Sequence, residues 1–106
     1  MNVTRISAAV AALSALALAT APVAAAGPEE DFLTIIRNEG IVWEAVDTPA
    51  VLDTGHAVCT DWSNGATFAD EVGDLLSVTD WTDYQAGVFI GAATGAFCPQ
   101  FEYKIG

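Results

Sequence analysis

From Pro28 onward, apolar residues recur at intervals of three and four, and that spacing predicts four helices. The first opens at Pro28, whose fixed φ suits the first helical position, with Glu29, Glu30 and Asp31 in the turn where the helix dipole favours anions. Phe32, Leu33, Ile35 and Ile36 form its apolar stripe and Gly40 ends it. In the second, Thr48 and Pro49 read as N-cap and first helical residue. Val51, Leu52, Gly55, Val58, Cys59 and Trp62 then share a face until Gly65 stops the run. Thr67 caps a third helix with Phe68, Val72, Leu75 and Leu76 on one side and Asp70, Glu71 and Asp74 on a side expected to face water. The fourth starts with the capping box Thr82-Asp83-Tyr84-Gln85 and runs through Phe89, Ile90, Ala93 and Phe97 until Pro99 forbids continuation.

Two segments follow this period less well. Ile41 to Val46 fits either a turn of helix or a packed extended link. After Pro99, Phe101, Tyr103 and Ile105 alternate with Gln100, Glu102 and Lys104, the pattern of an extended tail lying on the bundle. No repeat and no second domain is visible. The predicted fold class is all-α: a small bundle of about four short helices with linkers of a few residues.

The start of the chain has a different character. Arg5 precedes an uncharged run from Ile6 to Leu18, Pro22 breaks it, and Ala24, Ala25 and Ala26 offer the small residues of a signal peptidase site. Residues 1–26 therefore read as a cleaved secretory signal peptide and residues 27–106 as the single mature domain. Residues 6 to 26 are long enough for one membrane span, but alanine is weakly hydrophobic and the Pro22 break suits cleavage. The expected location is secreted or cell-envelope, with no stable membrane insertion of the mature domain.

Composition narrows the function classes. The mature segment carries all 14 acidic residues against Arg37 and Lys104 alone, a formal charge of −12. Nucleic acid and anionic lipid draw their affinity from Lys and Arg counter-charges, so both are excluded as partners. A segment of 80 residues buries little more than about 60% of its unfolded surface, which makes a covalent staple valuable. Cys59 and Cys98 are the only cysteines, and an exported context favours a bond between them over a free thiol nucleophile. On the chain-entropy model that bond contributes about 3–4 kcal/mol.

Candidate chemistry is sparse. His56 is the only histidine, one turn before Cys59. With both cysteines oxidised, a structural zinc site lacks ligands, and a packing or surface role outweighs that of a lone haem ligand. Ser63 and Ser77, the mature serines, lie in no nucleophile elbow, and the carboxylates are scattered, so no catalytic residues are assigned and the chain reads as a non-enzyme. Asp70, Glu71 and Asp74, with Asp80 and Asp83, could gather oxygens for calcium, but their spacing does not match an EF-hand loop and a solvated helix face is the simpler reading. No metal site and no cofactor are assigned. Gly87, Gly91 and Gly95 line one strip of the fourth helix, where each costs about 1 kcal/mol relative to alanine. The strip is expected to admit another helix of the same domain, with a self-association or ligand groove as the other options. Trp43, Trp62 and Trp81, with Phe68, Phe89, Phe97, Phe101 and Tyr103, either pack the core or line a hydrophobic cavity.

One set of residues resembles a known family. Gly55 four before Cys59, Gly65 six after it, Gln85-Ala86, Phe89, Ala93 and the closing Phe97-Cys98-Pro99, behind a signal peptide and an Asp31-Phe32-Leu33 opening, are similar to the domain of unknown function 732 family. These are small exported proteins found mostly in mycobacteria and their relatives. The resemblance covers roughly residues 29 to 99. Trp62 stands where the family looks leucine-like, and Gly87, Gly91 and Gly95 where alanines are more typical. The resemblance implies an α-helical exported domain with the Cys59–Cys98 bond, and no activity.

Two functional readings survive. In the first, the domain is a protein-interaction module of the envelope or extracellular space, with His56, Trp62 and the Gly87, Gly91, Gly95 strip as candidate contact or pocket residues. In the second, it carries a small hydrophobic ligand, lipid-like or haem, between its helices. An exposed aromatic or apolar patch favours the first, and an internal aromatic cavity the second.

Overall fold

A computed structural model describes residues 27–105, so the predicted signal peptide lies outside the described residues. Four helices appear in the expected order: α1 (Pro28–Asn38), α2 (Thr48–Ser63), α3 (Phe68–Val78) and α4 (Asp83–Phe97). Two 3-10 segments, Ala45–Asp47 and Pro99–Lys104, complete the described residues, which contain no strand.

Local chemistry sets the boundaries. α1 and α2 end in left-handed glycines, Gly40 at φ +88° and Gly65 at φ +92°. Beyond each glycine an amide returns to a carbonyl of the last turn: Ile41 N–H to Ile36 O at 3.1 Å, and Ala66 N–H to Asp61 O at 3.0 Å. α3 and α4 both begin in complete capping boxes, Thr67 with Asp70 and Thr82 with Gln85.

Two expectations are corrected. Thr48 is not the N-cap of α2: the 3-10 turn Ala45–Asp47 runs straight into the helix, so Thr48 is already helical. Its hydroxyl instead accepts the Trp43 indole N–H at 2.9 Å. The Ile41 to Val46 link is consequently irregular through Glu44 and helical only from Ala45. The tail is a 3-10 helix over Pro99–Lys104 rather than extended, with only Ile105, among the described residues, beyond it in an extended conformation, because Pro99 opens a turn that Phe101 N–H to Cys98 O closes at 2.9 Å. Phe101 and Ile105 pack on the core while Tyr103 stays exposed.

α4 is the central element, packing on α1, α2, α3 and the C-terminal 3-10 segment. Its buried face of Ala86, Phe89, Ile90, Ala93 and Thr94 meets Phe32, Leu33 and Ile36 of α1 and Val58 and Trp62 of α2. The Phe32 ring is edge-on to Phe89 at 5.1 Å and tilted against Phe97 at 5.2 Å. Cys59 and Cys98 are disulfide-bonded, with Cα atoms 6.0 Å apart, which ties α2 to the end of α4.

The expected helix across the Gly87, Gly91, Gly95 strip is absent. A Cβ at Gly87 would touch only the Phe68 ring at 3.7 Å, one at Gly95 only the Glu102 carboxylate at 3.4 Å, and one at Gly91 nothing within 4 Å. These positions each follow Ala86, Ile90 and Thr94 by one residue, so they sit about 100° around the helix from the buried face. The close approach occurs at Gly55 on α2, where a Cβ would lie 2.9 Å from the Phe32 ring and 3.1 Å from that of Phe97.

Candidate functional site

Sequence singled out His56, Trp62 and the glycine strip, and the structure does not bring them into one pocket. Trp62 lies in the core, 2% exposed, and its Nε1 donates to Thr94 Oγ1 at 2.9 Å. Thr94 in turn donates to Ile90 O at 2.7 Å, so the buried polar pair is closed within the bundle. His56 lies on the surface with its ring stacked on Phe97 at 3.9 Å and its Nε2 3.0 Å from Glu29 Oε2. That contact tethers α2 to the first turn of α1 and is a packing and surface role.

The first concave feature gathers Asp70, Glu71 and Asp74 of the acidic group seen in the sequence, adds Asp61, and leaves out Asp80 and Asp83. The Gly65 turn brings the first turns of α3 beside the last turn of α2, so that Asp61 meets Glu71 and Asp74. Carboxylate oxygens of the three lie within 4.8 Å of one another. With Asn64, Gly65, Ala66 and Asp70 they line an open cavity of about 420 Å³. Glu71 corrects the expectation of a solvated acidic face: it is 3% exposed. It lies three residues after Phe68 and four before Leu75, which places it on the stripe it seemed to oppose.

The electrostatics of this corner follow from that burial. Loss of solvent pushes the Glu71 carboxyl up to about 8, and hydrogen bonding and charge repulsion from Asp61, then Asp74 and Asp70, push in the same direction. Asp70 responds oppositely, its carboxylate held low by the Thr67 N–H and hydroxyl of the capping box. Glu71 Oε2 is buried with no hydrogen-bond partner among the described residues. Neither Arg nor Lys among the described residues answers these acids: Arg37 sits over the Trp43 ring at 4.7 Å and Lys104 over Trp62 at 5.6 Å.

The second concave feature is apolar. Val51 and Ala50 of α2, Leu75 and Val78 of α3, then Trp81 and Phe89 line a groove of about 260 Å³, with Asp47, Thr54 and Thr79 at its polar positions. Val78 on its wall is 78% exposed, and Val46, next to Asp47, is 82% exposed. Periodicity placed Val51, Leu75 and Phe89 on buried faces but could not show that three helices leave a gap between them.

No described helix is long and apolar enough to cross a membrane. Comparison with known proteins gives relatives without an assigned activity. Uncharacterized proteins of Mycobacterium tuberculosis, strains H37Rv and CDC 1551, and of Mycobacterium bovis are 30% identical over 96 residues, covering 90% of this chain and 83% of theirs. No solved structure matches significantly. The family model described as a protein of unknown function, DUF732, matches residues 28–100, which hold all four helices and both cysteines, and the chain belongs to that family.

Proposed function

We propose that this protein is an exported, envelope or extracellular, non-catalytic interaction module whose contact surface is the apolar groove between α2, α3 and the start of α4. The observation that carries the reading is the groove itself: an apolar concavity flanked by two largely exposed valines, Val46 and Val78. Its volume of about 260 Å³ is below the usual span of about 300–1,000 Å³ for small-molecule sites and suits an inserted apolar side chain. The alternative of a ligand carried between the helices finds less support, because Phe32, Phe89 and Phe97 fill the space between α1, α2 and α4. The chain's overall surplus of acids, with Asp47 on the groove itself, suits a partner protein that presents an apolar anchor flanked by Lys or Arg. Residues 1–26 supply the export signal in this reading.

Site-specific photo-crosslinking in the native host tests it. A photoreactive side chain at Val78 is expected to give one discrete protein adduct, absent when the probe sits at exposed Asn38 on α1. Excess wild-type protein should compete for the adduct and a Val46→Asp/Val78→Asp variant should not. Equal adducts at both positions, or an adduct of lipid mass, would overturn the reading.

A further inference from the structure

We propose that Asp61, Glu71 and Asp74 form a binding site for a divalent cation, with calcium the ion their chemistry suits. Three observations converge on it. The carboxylates come from two helices, and their oxygens already lie within 4.8 Å of one another, close enough to share a single ion. Glu71, within this group, is 97% buried and leaves Oε2 without a hydrogen-bond partner among the described residues. A buried carboxylate oxygen in that condition is costly unless an ion, a proton or an ordered water completes it. Finally, Arg37 and Lys104, the Arg and Lys of the described residues, are both engaged over tryptophan rings, and neither serves the cluster.

The donor set selects the ion. Carboxylate oxygens are hard ligands, which suit calcium or magnesium rather than metals that seek nitrogen or sulfur. The cavity in front of the group is open and also lined by Asn64 and Asp70, leaving room for the waters that would fill a coordination shell of six to eight oxygens. The neighbouring helix α4, which packs on α3, brings no cation to it: its single charged side chain, Asp83, is at its first position and outside the cavity. The site is separate from the apolar groove, which shares none of its lining residues. Cation binding would pin the end of α2 to the beginning of α3 across the Gly65 turn.

The test is calorimetric titration of calcium chloride into protein purified from its own host and stripped with a chelator, at near-physiological salt. One saturable site is expected, with a dissociation constant on the order of 10⁻⁴–10⁻³ M, as in extracellular calcium modules. Asp61→Asn and Asp74→Asn each weaken it at least tenfold, and both residues are accessible enough for these variants to fold. Asp53→Asn, on α2 but outside the cavity, leaves it unchanged. Absence of saturable binding up to about 10 mM calcium, above the range of such modules, overturns the proposal. So does binding that survives both cavity variants, and in either case a proton or an ordered water, not calcium, completes Glu71.

Discussion

A Cβ built on Gly55 would lie 2.9 Å from the ring of Phe32, a ring that is itself fully buried. The missing side chain lets α2 approach α1 closely enough for Phe32 to sit between Phe89 and Phe97. Gly55→Ala should therefore destabilise the fold by about 1–3 kcal/mol through overpacking, despite alanine's better helix propensity. The same substitution at Gly91, where a Cβ meets nothing within 4 Å, should stabilise by about 0.5–1 kcal/mol. Urea unfolding of the two variants reads both signs, and equal shifts would contradict the packing described.

The buried Trp62–Thr94 hydrogen bond predicts a second asymmetry. Thr94→Val keeps the volume but leaves the Trp62 N–H unpaired in the core, at about 1–3 kcal/mol. Thr94→Ser retains the hydroxyl and should recover the polar part of that loss. Denaturation midpoints of the two variants, with slopes checked for constancy, measure the difference.

The disulfide joins residues 39 apart in sequence, and its removal in a Cys59→Ala/Cys98→Ala variant should cost about 3–4 kcal/mol. Because Cys98 is 2% exposed, the bond should resist mild reductant in the folded state and yield once denaturant is added. Thiol alkylation followed by mass spectrometry distinguishes the two conditions.

Glu71 predicts a pH dependence for the metal-free protein. Its folded pKa of about 8 exceeds the ordinary value of 4.5, so across that window the folded state holds a proton that the unfolded chain has released. Stability from this residue is then full below pH 4.5 and is lost as pH rises to about 8, with a slope of up to about 1.4 kcal/mol per unit. Glu71→Gln, neutral throughout, should flatten that slope and be the more stable form at pH 8. Asp70, whose pKa is depressed, acts in the opposite sense, its contribution being lost only at acid pH below the ordinary carboxylate range. Thermal melts across the pH range separate the two, and an unchanged slope in the Gln variant would contradict the burial of Glu71.

Helix boundaries were legible in the sequence because they depend on local chemistry. Pro28, Gly40, Gly65 and the Thr67 and Thr82 capping boxes each act within a few residues, and each lies where the pattern predicted. The cysteine pairing was equally plain, since each of two cysteines has one possible partner within the chain. Thr48 and the tail after Pro99 misled for a different reason: both patterns fit two conformations, and contacts with Trp43 and with the core chose between them.

What only the tertiary structure decided is how helix faces meet. A period of 3.6 assigns each residue an angle around its own axis but says nothing of the neighbour opposite, so Glu71 looked solvated until α2 supplied Asp61 beside it. The glycine strip of α4 looked like a contact and faces open space at Gly91, while the contact lay at Gly55, one glycine among apolar residues on α2. The groove beside Trp81 is likewise a property of three helices at once and of no single segment. Caps, stops and the staple were written locally, whereas the acidic corner and the apolar groove exist only where distant faces converge.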